Sequence, residues 1–252
     1  MLRAACFDLW ETLIIDPPGR GEERAEGRVR RIARALRGGG WPAPYAAVTD
    51  ALQATVDSLV TLHQDNRDGD ADERVVLFYQ HLDPTLRPEH DLPADARAEI
   101  REAIHGSALH LPPELLPGAA ETLDELRRRG LRLALVSNTG LSPGSTMRQV
   151  VDDLGIGRNF TAQVYSDEVG AWKPDARMFD EAVFALGVAA KDVLFVGDTP
   201  EADIVGAQAF GMGMTALVGD KAIDGVRADL ELPGVHALVA ALSDRGLLRT
   251  PE

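Results

Sequence analysis

Only one cysteine, Cys6, occurs in the 252 residues, so no disulfide can form within the chain. It sits in the apolar run 2–7, where a small buried hydrophobe is the expected role. Lysine is almost as scarce: Lys173, Lys191 and Lys221 stand against 23 arginines. No lysine precedes Lys173, so a mechanism needing one upstream would have to take it from another chain. Positive charge is short overall, since 26 Lys and Arg face 40 Asp and Glu and leave a net charge of −14. That balance argues against a nucleic-acid or anionic-membrane partner. Anionic substrates stay open, because a bound cation would reverse the local field. No apolar run approaches the roughly 18 residues of a membrane span, and no signal-peptide pattern precedes the first strand. A cytoplasmic protein without membrane contact is the expectation.

What is present suffices for a sizeable core, with 45% hydrophobic residues. The length allows one large domain, or a core plus a smaller unit. Four polar signals punctuate the chain. Asp8 ends Leu2-Arg3-Ala4-Ala5-Cys6-Phe7, and Ser137 ends Leu131-Arg132-Leu133-Ala134-Leu135-Val136. Asp198 follows Val193-Leu194-Phe195-Val196-Gly197 and is trailed by Asp203, while Lys173 lies in the loop after Ala162-Gln163-Val164-Tyr165. Short apolar runs of this kind read as buried strands. In an open parallel sheet, ligands bind outside the carboxyl ends of the strands, so these distant groups can share one rim. Carboxylates, a hydroxyl and an ammonium together suit a divalent cation and a phosphate.

Between the first two signals the pattern is helical. After the break at Pro17-Pro18-Gly19, residues 22–37 place Val29, Ile32, Ala33 and Leu36 on one face, and Gly38-Gly39-Gly40 ends the helix. Residues 45–63 repeat the period through Val48, Leu52, Val56, Leu59 and Leu62, and 72–82 and 93–109 give two more helices. From Pro117-Gly118 onward helices and strands alternate: helix 119–129, strand 131–136, helix 145–154, strand 162–165, helix 175–186, strand 193–197, helix 201–210, strand 214–218 and helix 235–244. The alternation predicts right-handed crossovers and a parallel sheet. The expected fold is therefore α/β. A Rossmann-like core spans 1–15 and 113–252, and an all-helical insert spans 16–112.

The motifs Asp8-Leu9-Trp10-Glu11-Thr12, Val136-Ser137-Asn138, Gly170-Ala171-Trp172-Lys173-Pro174 and Gly197-Asp198-Thr199-Pro200-Glu201-Ala202-Asp203 resemble, as a set, the haloacid dehalogenase (HAD) superfamily. The likeness spans about Leu2 to Leu217. Most members are phosphatases, and the resemblance implies a HAD-like core with a helical (C1-type) cap that closes over the site and sets substrate choice. It implies Asp8 as nucleophile, forming an aspartyl phosphate on a small phosphorylated metabolite. It implies Mg2+ held by Asp8, Asp198, Asp203 and the Trp10 backbone carbonyl. Ser137 and Asn138 would bind phosphate oxygens, Lys173 would neutralise Asp8 and phosphate, and Thr12 would orient Asp8 or merely serve its turn.

One position departs from the pattern. The phosphatases usually carry a second Asp two residues after the nucleophile, as acid for the leaving oxygen and base for water; Trp10 stands there, and indole can do neither. General acid–base help is typically worth about 10²–10⁴-fold. Three outcomes are open: a substrate with a good leaving group, a substitute among Glu11, His63, His81, His90, His105 and His110, or a chain that mainly binds.

Other readings are weaker. Haloacid dehalogenases also carry an aromatic at that place and need no metal, but their last motif lacks the acidic pair that Asp198 and Asp203 form. They also want a cap arginine, for which Arg34 and Arg37 are the candidates. Phosphonate hydrolases of the superfamily need a cap lysine, which is absent. Gly140-Leu141-Ser142-Pro143-Gly144 matches a serine-hydrolase elbow, yet Pro143 has no N–H for the oxyanion. A calcium loop needs Gly at its sixth place and Glu at its twelfth; counted from Asp68 in the acidic stretch 65–73 those places hold Glu73 and Tyr79, so the stretch reads as a solvated loop. Gly211-Met212-Gly213 follows a helix and precedes a strand, the wrong context for dinucleotide binding. The acidic helical insert could also serve as a homodimer surface.

Overall fold

Four consecutive apolar residues, Ala4–Phe7, form the strand around which the sheet is laid, and all four are fully shielded from solvent. The computed structural model describes residues 2–221 and 225–248; the core assignment of residues 1, 222–224 and 249–252 lies outside them. In chain order, β1 (Ala4–Phe7) and β2 (Ile14–Ile15) precede six helices. These are α1 (Arg20–Gly38), α2 (Tyr45–Gln64), α3 (Ala71–Leu82), α4 (Pro88–Asp91), α5 (Ala94–His105) and α6 (Ser107–His110). Then come β3 (Glu114–Leu115), α7 (Ala119–Arg128), β4 (Arg132–Ser137), α8 (Gly144–Asp153), β5 (Ala162–Tyr165), α9 (Ser166–Val169) and α10 (Ala176–Leu186). The chain closes with β6 (Val193–Gly197), α11 (Gly206–Phe210), β7 (Met214–Val218), β8 (Leu230–Leu232) and α12 (Leu238–Asp244). No helix among the described residues is long and apolar enough to cross a membrane.

The main sheet is parallel throughout, in the order β5-β4-β1-β6-β7-β8. The chain moves outward from β1 through β4 to β5, then returns to β6 on the other side of β1. That reversal is the topological switch point where open α/β sheets take ligands. Near-continuous apolar strands are what a parallel sheet covered on both faces requires. Leu133–Val136 and Val193–Val196 meet that requirement with no solvent exposure at all. One face packs Ala4, Cys6, Ala134, Val136 and Phe195 against Met178, Phe179, Ala182 and Leu186 of α10. Burial pushes the Cys6 thiol up to about 12, as an inert core hydrophobe demands.

Two compact units result: residues 1–15, 114–138 and 151–252 in one, 16–113 and 139–150 in the other. The second is a helical unit with its own core of Ile32, Leu36, Val48, Leu52, Phe78 and Ile100, the apolar stripes of α1, α2, α3 and α5. Segment 139–150, which the sequence pattern puts in the α/β core, groups with the helices. The reason is a buried polar anchor. Arg74 Nη2 donates to Asp68 Oδ2 at 3.0 Å and to Thr139 Oγ1 at 3.0 Å, and Leu141 packs on the helical core. Asp68 therefore corrects the reading of 65–73 as solvated, for its side chain is fully buried in that ion pair.

Three further details differ from the sequence pattern. The helix expected over 93–109 breaks at Gly106 into α5 and α6. The helix expected over 201–210 begins as a π-helical turn, Pro200–Val205, before α11. The short pairs β2–β3 and the edge strand β8 carry too few residues to show a period.

Candidate active site

Strand register brings the first signals together. Phe7 pairs with Leu135 on one side and Val196 on the other, so Asp8 leaves the sheet level with Val136 and Gly197. Ser137 and Asp198 follow one residue further along their strands. The Asp8 N–H still donates to the Val196 carbonyl at 2.9 Å, which fixes the residue at the rim. Beyond it the chain turns tightly, with the Leu13 and Ile14 N–H groups both donating to the Leu9 carbonyl, at 2.8 and 3.0 Å. Glu11 takes a positive φ of 59° in this turn and is exposed, while Trp10 is half-buried and bridges to Ile14. The turn returns the Thr12 hydroxyl to Asp8, where it donates to Oδ2 at 3.3 Å.

Lys173 occupies the centre of the cluster. Its Nζ donates to Asp8 Oδ1 and to Asp203 Oδ1, each at 2.7 Å, and its side chain is 2% exposed. The ammonium also lies 5.4 Å from the centroid of the Phe195 ring. Asn138 holds the backbone that carries it: Lys173 N donates to Asn138 Oδ1 at 2.8 Å, and Asn138 Nδ2 donates to the Lys173 carbonyl at 3.3 Å. Both ends of the Asn138 amide thus engage the lysine loop. Ser137 is buried, its hydroxyl donating to the Asn138 carbonyl at 3.2 Å.

Asp203 is placed by the π-helical turn, where its Oδ2 accepts from the Thr199 N–H at 2.9 Å. Asp198 Oδ1 accepts from the Thr199 hydroxyl at 3.2 Å, and its Oδ2 accepts from Lys221 Nζ. Neither Thr199 nor Lys221 belongs to the site expected from the motifs. The scarcity of lysine was the one signal that could have singled out Lys221.

The electrostatics follow from crowding. Asp8, Asp198 and Asp203 are all buried, and one oxygen of each lies within 4.8 Å of the others. Among the described residues, two ammonium groups, Lys173 and Lys221, are shared by these three carboxylates, which leaves the acids in excess. Burial pushes the Asp8 carboxyl up to about 7 against the opposing pull of Lys173, and Asp203 and Asp198 push the same way as burial. Burial disfavours the Lys173 ammonium, yet Asp203 and Asp8 more than offset it and hold the lysine above its ordinary range. Hard, anionic oxygen donors with excess negative charge fit a divalent cation such as Mg2+.

The histidines considered as substitute acids sit in the helical unit. His63 contacts Asp68 at 3.2 Å, His81 contacts Ser58 at 2.9 Å and His110 contacts Glu102 at 3.2 Å. His90 is exposed and His105 is buried. Arg34 is tied to Glu99 at 2.6 Å, and Arg37 is exposed.

The family model of haloacid dehalogenase-like hydrolases matches residues 2–211. A phosphoserine phosphatase from Thermus thermophilus is 38% identical over 114 residues, 45% of this chain and 44% of that protein. The chain spans about half the length of the curated relatives it matches, and these include both phosphatases and 2-haloacid dehalogenases. Among solved structures, a 2-haloacid dehalogenase from Pseudomonas syringae aligns with a TM-score of 0.72 at 23% identity, covering 97% of this chain and all of that one. A HAD phosphatase from Thermococcus onnurineus aligns with a TM-score of 0.66 at 20% identity, covering 96% and 98%. At such identities the two structures establish the fold alone.

Proposed function

Because the chain belongs to the haloacid dehalogenase-like hydrolases, we propose that it is a Mg2+-dependent phosphatase acting on a small phosphorylated metabolite. The observation that carries this reading is the buried triad of Asp8, Asp198 and Asp203 within 4.8 Å. A metal-free dehalogenase has no use for three clustered carboxylates, whereas a phosphatase needs them to hold a dication. The phosphoserine phosphatase relative agrees with that class of substrate.

In the proposed reaction an Asp8 carboxylate oxygen attacks phosphorus. The ester P–O bond breaks, and its electron pair leaves on the alcohol oxygen, which takes up a proton. Water then attacks phosphorus in the aspartyl phosphate and restores the carboxylate. Asp8, Asp198, Asp203 and the Trp10 carbonyl would hold Mg2+, whose charge offsets repulsion between the nucleophile and the phosphoryl group. Lys173 neutralises Asp8 and the incoming phosphate from within hydrogen-bonding distance. Asp203 and Asn138 keep Lys173 in place, and Thr12 restrains the rotation of Asp8. The Ser137 hydroxyl at the rim is a donor for phosphate oxygens. Trp10 supplies no proton, so the chain favours substrates whose leaving oxygen needs little protonation.

A second reading, 2-haloacid dehalogenation, is favoured by Trp10 itself and by the dehalogenases among the relatives. Hydrolysis of p-nitrophenyl phosphate, with and without Mg2+ and beside Asp8→Asn, separates the two. Metal-dependent turnover that the variant loses supports the phosphatase. No turnover, with halide released from a 2-haloacid, overturns it. Asp198→Asn adds an independent check, since a fully active, metal-independent variant also favours dehalogenation.

A further inference from the structure

Asp198 Oδ2 carries a second lysine. Lys221 Nζ donates to that oxygen, and the two side chains differ sharply in burial: 7% of Asp198 is exposed, against 54% of Lys221. Lys221 stands three residues past β7, beyond the positive φ of Gly219 where the strand ends. Its charge is also felt by Glu11 and Asp8. The other Asp198 oxygen already accepts from Thr199, so Oδ2 is the one facing an ammonium.

We propose that Lys221 is a tethered competitor of the divalent cation. Its ammonium holds Asp198 Oδ2 when no dication is present and must let go for a cation to take that oxygen. The proposal rests on the metal reading given above. The contrast with Lys173 supports it. Lys173 is 2% exposed and anchored by two carboxylates, so it is a fixed part of the cluster. Among the described residues Lys221 is ion-paired with one carboxylate, and its flexible four-carbon stem lies half in water. Releasing it costs little, as for other solvent-accessible ion pairs, whereas releasing Lys173 would leave a charge buried. The cluster therefore has one permanent ammonium and one that can be exchanged. The exchangeable one lowers cation affinity and screens Asp198 while the cation is absent.

The test reads metal binding directly, apart from turnover. Mn2+ is titrated calorimetrically into the full chain for wild type, Lys221→Gln, Lys221→Arg, Asp198→Asn and Lys191→Gln. Lys221→Gln is expected to tighten Mn2+ binding by about threefold to fivefold, the upper part of the range for one lost solvent-accessible ion pair. Lys221→Arg keeps the charge and should stay near wild type. Lys191→Gln removes an exposed positive charge that precedes β6, at the opposite end of the strand from Asp198, and should change affinity by less than about twofold, since screened surface charges act weakly. Equal affinity in wild type and Lys221→Gln, with Asp198→Asn weakened, overturns the competitor and leaves the metal reading standing. No Mn2+ binding in either overturns both. Circular dichroism confirms that each variant is folded, and Lys221→Ala repeats the test if Gln disturbs the chain.

Discussion

The Asp203 carboxylate lies directly against Gly197, so close that a Cβ at position 197 would stand 2.3 Å from Asp203 Oδ2 and 2.4 Å from its Cγ. The glycine is there for this approach. Its neighbour cannot yield, because the carboxylate is fixed by Lys173 on one oxygen and by the Thr199 N–H on the other. Gly197→Ala should displace Asp203 and with it Lys173. Overpacking of this kind costs about 1–3 kcal/mol. Misplacing a catalytic group by an ångström costs about a hundredfold in rate. If the proposed phosphatase activity is found, turnover and thermal melting of the variant measure both effects; an alanine variant with wild-type turnover would show that the carboxylate is not held where activity needs it.

Asn138 is expected to act mainly through Lys173. Its amide makes two hydrogen bonds to the Lys173 backbone, each worth about 0.5–1.5 kcal/mol net. Asn138→Ala should therefore lower the melting temperature in the absence of any ligand, by about 2–4 °C per kcal/mol for a chain of this size. A residue whose sole role is to bind phosphate would leave the ligand-free protein as stable as before. Differential scanning calorimetry without phosphate, repeated at saturating phosphate, distinguishes the two.

The strands and their terminal polar residues were legible because a parallel sheet buries both faces, and continuous apolar runs leave little ambiguity. Strands 162–165, 193–197 and 214–218 match the structure residue for residue. The clustering of Asp8, Asp198 and Lys173 was legible because the carboxyl ends of parallel strands share one rim. What stayed hidden depends on contacts with no local pattern. Asp68 reads as one more acid in an acidic loop until Arg74, six residues on, and His63 are seen against its buried carboxylate. Segment 139–150 carries no sign of grouping with the helices, since contacts such as those of Thr139 with Arg74 and of Leu141 with the helical core follow no local pattern. Asn138 reads as turn chemistry or as a phosphate donor until the lysine loop, 35 residues away, is seen beside it. Lys221 has no motif around it at all.

Acid should weaken the helical unit through His105. Burial, and then Arg101 and Arg74, hold its imidazole down at about 4, while the Ala71 backbone and Asp72 oppose them only in part. Unfolded histidine titrates near 6.5, so between about pH 6.5 and 4 the unfolded chain binds more protons than the folded one. Stability from this group is thus present above pH 6.5, falls as pH drops through the window, and is fully lost below about 4. The scale is roughly 3 kcal/mol. Melting temperatures at pH 7.5 and 5.0 should differ more in wild type than in His105→Gln. An identical pH response in the two would remove His105 from the account.

On the phosphatase reading, Trp10→Asp tests why no acid stands two residues after the proposed nucleophile, Asp8. The turn from Leu9 to Ile14 is held by backbone hydrogen bonds to the Leu9 carbonyl, so replacing the side chain leaves the backbone at position 10 in place. Trp10 is half-buried, so the exchange empties little of the core. An added carboxyl group could protonate the leaving oxygen and later take a proton from water. Such help is worth up to about 10²–10⁴-fold, and only where the leaving group needs it. Turnover of an alkyl phosphate should therefore rise more than that of p-nitrophenyl phosphate, whose phenolate leaves readily. The measured quantity is the ratio of kcat/KM for the two esters. If both rise equally, or neither rises, the missing proton donor is not what limits this enzyme.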